Sequence, residues 1–222
     1  MNLEHGQSMS GVTKRSYNAS FHKLLRMFTL SILVSFAGTV VGTEFIPPAL
    51  VLPLMVVEFV MLISAFFVRR RGKPIGYAFV YIFTFISGIT IFPSIQYYAQ
   101  TGGAALVETA FLLTAVIFAG LTLYAYYSKR DFSFLGGFLM IGLLILIGFG
   151  LVGLFIGGFG STLGLWIAAG GVLIFSGFIL FDISRYKNGI PEDQIPLAVL
   201  NLYLNFINLF LYLLRLLGYS RD

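Results

Sequence analysis

An all-α integral membrane protein of seven transmembrane helices is the fold this sequence predicts. Three observations predict it: composition, a series of seven apolar runs, and an alternation of charge between those runs. Of the 222 residues, 58% are hydrophobic and only 10% are charged, whereas a soluble domain carries about 25% charged residues. A fold in water would have nowhere to bury such a surplus, so the solvent around it is lipid. The length suits roughly seven spans of about 20 residues each and leaves no room for a soluble catalytic domain.

Residues 1–20 are mixed and polar, and are read as a mobile cytoplasmic tail. They are not a signal peptide, because the apolar run that follows is too long for one. The first span, Leu24–Ile46, stops at Pro47-Pro48, and the second covers Ala49–Val68 up to the basic loop Arg69–Lys73. The third, Ile75–Tyr98, is interrupted by Ser87, Gly88, Thr90 and Pro93, which suggests a kink or a tight crossing. A short loop, Ala99–Gly102, leads to the fourth span, Gly103–Tyr127, and Ser128–Ser133 to the fifth, Phe134–Ile156. The fifth contains Gly142, Gly148, Gly150 and Gly153, small residues that permit close helix contact. Gly157–Gly160 precedes the sixth span, Ser161–Ser184, and Arg185–Gln194 precedes the seventh, Ile195–Leu217. No loop can hold a domain, so residues 21–222 read as a single seven-helix transmembrane domain.

Charge sets the expected orientation. Lys14, Arg15, Lys23 and Arg26 precede or open the first span; Arg69, Arg70, Arg71 and Lys73 follow the second. Lys129 and Arg130 follow the fourth, and Arg185 and Lys187 the sixth. These alternate connections share one side and hold 12 of the 14 basic residues; Arg215 lies inside the seventh span and Arg221 beyond it. The basic side is expected in the cytoplasm, with the N-terminus inside and the C-terminus outside. Inserting or deleting one helix would destroy the alternation. Basic residues beside apolar runs point to topology and anionic lipid, and no nucleic-acid partner is expected despite a net charge of +5.

Enzyme chemistry finds little support. The chain has no cysteine, His5 and His22 sit in or beside the tail, and no Walker loop, nucleophile elbow or HExxH motif occurs. The spans contain no lysine, which excludes a retinal Schiff base.

The ionisable residues within the spans are Glu44, Glu58, Glu108, Asp182 and Arg215. Glu44 and Glu108 fall near outer helix ends, where they are either solvated at the interface or a candidate outer cation mouth. Glu58 is near mid-depth, where an acid costs about 2.5–3.5 kcal/mol on insertion scales and is expected to face protein or a cavity. Asp182 lies near the inner end of its span, within reach of Arg185 in sequence and, by depth, of Arg69. In the seventh span Asn201, Asn205, Asn208, Tyr212 and Arg215 fall within a stripe about 80° wide. Such a stripe avoids lipid, and serves either as interhelical glue or as one wall of an ion pathway.

These residues resemble a known family. Phe181-Asp182, the run Leu202-Tyr203-Leu204-Asn205-Phe206-Ile207-Asn208-Leu209-Phe210 and Leu213-Leu214-Arg215 are similar to the transmembrane Bax inhibitor motif family. So are Glu58 with Arg69-Arg70-Arg71, Gly76-Tyr77-Ala78-Phe79-Val80-Tyr81 and Ser87-Gly88-Ile89-Thr90. The similarity runs from Leu24 to Gly218 and is closest to bacterial members regarded as pH-sensitive calcium leak channels. It implies a central seventh helix surrounded by the other six, a bacterial plasma-membrane location, calcium as the transported ion and no cofactor. It further implies a pH sensor of two aspartates with an arginine latch, which here are the positions of Asp182, Asn205 and Arg69, with Glu58 and Arg215 at further polar positions of the pore.

Position 205 departs from the family pattern, since Leu-Tyr-Leu-Asp is usual and this chain has Leu-Tyr-Leu-Asn. Two carboxylates in contact titrate as a coupled pair, and an amide partner removes that coupling. The expected function is a calcium-permeable leak with a blunted pH response. A calcium/proton exchanger and a membrane interaction protein acting on a protease or cell-death partner are the alternatives. The metal ligands, if any, are not readable from scattered acids.

Overall fold

The computed structural model describes residues 2–70 and 72–219, with side chains described from Ala19 onward except at positions 66 and 69. Seven long helices account for nearly all of it: α1 Asn2–Phe45, α2 Pro48–Arg70, α3 Tyr77–Gly102, α4 Ala104–Tyr127, α5 Gly136–Ile156, α6 Ser161–Tyr186 and α7 Ile195–Tyr219. Single 3-10 turns precede α5 and α7. Each of the seven contains a stretch long and apolar enough to cross a membrane. In hydrocarbon a helix is one of the two ways to satisfy every backbone group, so long apolar runs settle into this form.

The breaks fall where the chain chemistry demands them. Pro48 opens α2, at a position where its missing N–H costs nothing. Gly157, at φ 75°, closes α5 in the left-handed region, with its N–H on the Gly153 carbonyl. The expected loop Ala99–Gly102 is instead the last turn of α3, because nothing before Gly103 stops the helix. The whole α3–α4 connection is Gly103, at φ 82°. At the other end, α1 starts at Asn2, inside the segment read as a tail, and its membrane-crossing stretch starts at Ala19.

The chain forms two compact units, residues 1–92 with 186–203 and residues 93–185 with 204–222; α3 and α7 contribute to both. In the first, α1 and α3 cross backbone to backbone. A Cβ at Gly38 would strike the Phe85 carbonyl, one at Gly42 would lie 3.2 Å from the Ile89 Cα, and one at Gly88 would strike the Ser35 carbonyl. Positions 38 and 42 thus face 85 and 89, so the two helices run in the same direction. The Thr39 hydroxyl donates across this crossing to the Gly88 carbonyl at 3.1 Å. Gly38 and Gly42 are a small-xxx-small pair, the spacing that lets helices approach when no hydrophobic drive acts between them.

In the second unit α6 and α7 mesh antiparallel. The Tyr212 ring lies against Gly171 and the Tyr219 ring against Gly164. Gly142 of α5 receives Ile174, and Gly177 of α6 receives Leu139. Phe118 of α4 meets Phe206 edge-on, with ring centroids 5.5 Å apart. Of the glycines expected to pack α5, Gly142 does so closely, while Gly148 and Gly150 face open space.

Burial separates the helices sharply. In α7, 67% of the membrane-crossing stretch is buried, against 6% in α2 and 11% in α5. Leu154 and Phe155 are 80% and 89% exposed, as lipid-facing side chains should be.

Candidate functional site

Asp182 sits one turn before the end of α6, and Asn205 sits in the middle of α7. Both side chains are buried, 5% and 6% exposed. The Asn205 Nδ2 donates to Asp182 Oδ2 at 2.8 Å. Their flanks are apolar and fully enclosed: Ile179 and Ile183 on α6, Leu202 and Leu209 on α7. A carboxylate in such surroundings survives only if hydrogen-bonded or paired, and the amide supplies part of that. With its nitrogen turned to the acid, Asn205 keeps a carbonyl oxygen that can accept or ligate. This is the pair expected from the sequence, and the structure brings it together. The nearby Ser184 hydroxyl accepts from the Phe132 amide at 3.1 Å, tying the chain ahead of α5 to the end of α6. The Arg185 guanidinium lies over the Phe181 ring, 5.2 Å from its centroid. The proposed latch, Arg69, has its backbone in α2, but its side chain lies outside the described residues.

The first unit holds a second polar cluster. Glu58, half-buried on α2, accepts from the Thr90 hydroxyl of α3 at 2.6 Å. Tyr203 of α7 is completely buried, and its phenol shares a hydrogen bond with Ser35 of α1 at 2.8 Å. Sequence reasoning singled out Glu58 and missed Ser35 and Tyr203, because Tyr203 is two residues from Asn201 and so off the stripe. Only tertiary placement reveals it.

The remaining stripe residues are satisfied separately. Asn201 donates to the Tyr186 hydroxyl at 3.0 Å. Asn208 donates to the Leu204 carbonyl of its own helix at 2.8 Å. Tyr212 stacks on Phe175, with centroids 5.6 Å apart. Arg215 is exposed, its guanidinium 5.4 Å from the Tyr212 centroid. Ten residues beyond Asn205, it stands roughly 15 Å further along the axis and does not join the acid–amide pair. Glu44 is exposed at the end of α1, and Glu108 is exposed near the start of α4. Among the described residues, no three of His, Cys, Asp and Glu come together as a metal site.

The family model described as Inhibitor of apoptosis-promoting Bax1 matches residues 18–222. The chain belongs to this family. A membrane protein of Vibrio cholerae is 38% identical over 73% of this chain and 75% of its own length. The Golgi anti-apoptotic protein of Vaccinia virus is 33% identical over 98% of this chain and 92% of its own. Bax inhibitor 1 of Schizosaccharomyces pombe is 34% identical over 68% and 54% respectively. This Bax inhibitor family member is therefore a multi-pass membrane protein, as the resemblance read from the sequence implied.

Proposed function

We propose that this chain is a passive calcium-permeable leak channel of a bacterial plasma membrane, with its N-terminus in the cytoplasm. The observation that carries this reading is the buried Asp182 on α6, held by the amide of Asn205 within apolar surroundings. A divalent cation crossing hydrocarbon needs oxygen donors in place of its hydration shell. Asp182 offers a carboxylate and Asn205 a carbonyl at one level; Glu58 with Thr90 offers an acid and a hydroxyl elsewhere. No step of such permeation requires an enzyme or a cofactor. The basic loops and the bacterial relative support the location and orientation.

The test is calcium entry into liposomes containing the purified protein. Asp182→Ala is expected to reduce entry to that of protein-free liposomes; entry at the wild-type rate overturns the reading. Flux that saturates and is driven by a pH gradient identifies an exchanger instead. The names of two relatives, a Golgi anti-apoptotic protein and a Bax inhibitor, favour a second reading as a regulator of a cell-death or protease partner. Trimming the tail and basic loops then abolishes the regulatory effect and leaves ion flux intact.

A further inference from the structure

The C-terminal end of α7 carries a different chemistry. Arg215 lines a cavity of about 250 Å³ together with Tyr98, Tyr212 and Tyr219. Tyr212 and Tyr219 flank the arginine on one helix face, three residues before it and four after. Their rings are fixed on the bare backbone of Gly171 and Gly164, and Tyr98 packs on Gly218. The guanidinium is thus held against an aromatic face in a preformed setting. Among the described residues it has no carboxylate within ion-pair distance. The opposite wall is apolar, formed by Leu146, Phe149 and Ile167. Gly150 keeps that wall open, with no atom within 4 Å of where its Cβ would stand. Leu154, which also lines the cavity, is 80% exposed and Leu151 beside Gly150 is 55% exposed, so the cavity opens at the outer surface of α5.

A fixed cation at the end of an apolar cleft repels calcium and selects an anion attached to hydrocarbon. We propose that this cavity binds an anionic phospholipid, its phosphate on Arg215 and its acyl chain along Leu146, Phe149 and Ile167. Guanidinium and phenol hydroxyls donate to phosphate oxygens, and the continuous apolar wall favours a lipid over a free anion.

Native mass spectrometry of the purified full chain tests this with phosphatidylglycerol, phosphatidylcholine of matched chains, and inorganic phosphate. Phosphatidylglycerol is expected to be retained preferentially. Arg215→Gln should weaken its retention about tenfold, the loss of a charge-assisted contact. Arg215→Lys should weaken it less. Gly150→Leu adds bulk only to open space, leaves Arg215 in place, and should also lower retention. Equal retention of phosphatidylglycerol by the wild type and Arg215→Gln overturns the proposal, as does equal retention of phosphatidylcholine. Occupancy by inorganic phosphate in place of lipid assigns the cavity to a free anion and overturns it as well.

Discussion

Asn205 sets the chemistry of the buried pair. Its amide donates to Asp182 at 2.8 Å, a geometry that a second carboxylate can reproduce only by carrying a proton. Asn205→Asp therefore converts a singly titrating site into a coupled one, in which two acids share a proton and respond together. The expected outcome is a steeper dependence of liposome calcium entry on pH across neutrality than the native chain shows. Unaltered steepness would remove Asn205 from any sensing role. The pair was legible in the sequence because both residues are polar positions in otherwise apolar runs. Arg215 shows where such reading stops. The helical wheel places it on the same face as Asn205, yet angle says nothing of depth, and three tyrosines on α3 and α7 define its surroundings instead.

At the scale of helices, glycine decides which pairs approach closely. Gly88 faces the Ser35 carbonyl, and the Thr39 amide nitrogen lies 3.0 Å from where its Cβ would be. Neither backbone atom can swing away as a side chain would. Gly88→Ala is expected to destabilise the protein by about 1–3 kcal/mol, the cost of overpacking a fixed contact. Gly120→Ala, where nothing lies within 4 Å, should leave the melting temperature in detergent unchanged or slightly raised. Equal melting of the two variants would contradict a backbone contact at Gly88. The interruption around Gly88 was readable as a tight crossing, but the α1 partner was not. Gly38 and Gly42 carry a recognisable spacing, yet only the register of α1 on α3 shows that both are used. On α5 the same kind of glycine spacing misleads, since Gly148 and Gly150 meet nothing.

Across the whole molecule, helix number and order follow from composition and length, because lipid admits few alternatives to an apolar helix. Helix ends were less legible: α3 absorbs Ala99–Gly102 since only the positive φ of Gly103 stops it. Orientation rests on charge alone. The connections after α2, α4 and α6 contain Lys73, Lys129, Arg130 and Lys187, while Gly103 and the Gly157–Gly160 turn are uncharged. Lysine and arginine resist transfer across the membrane during insertion, so the proposed topology keeps the basic connections in the cytoplasm. The chain has no cysteine, so each introduced thiol is the sole target of a label. In intact cells, an impermeant maleimide is expected to modify Gly103→Cys and Gly158→Cys directly. Ser128→Cys and Asn188→Cys should react only after the membrane is opened. Labelling of Ser128→Cys from outside would invert the proposed topology, placing the Asp182 end of α6 on the external side and Arg215 toward the cytoplasm. Charge reversal supplies the matching control: Lys129→Glu with Arg130→Glu weakens the bias at one connection, and the remaining basic loops should still hold the native orientation.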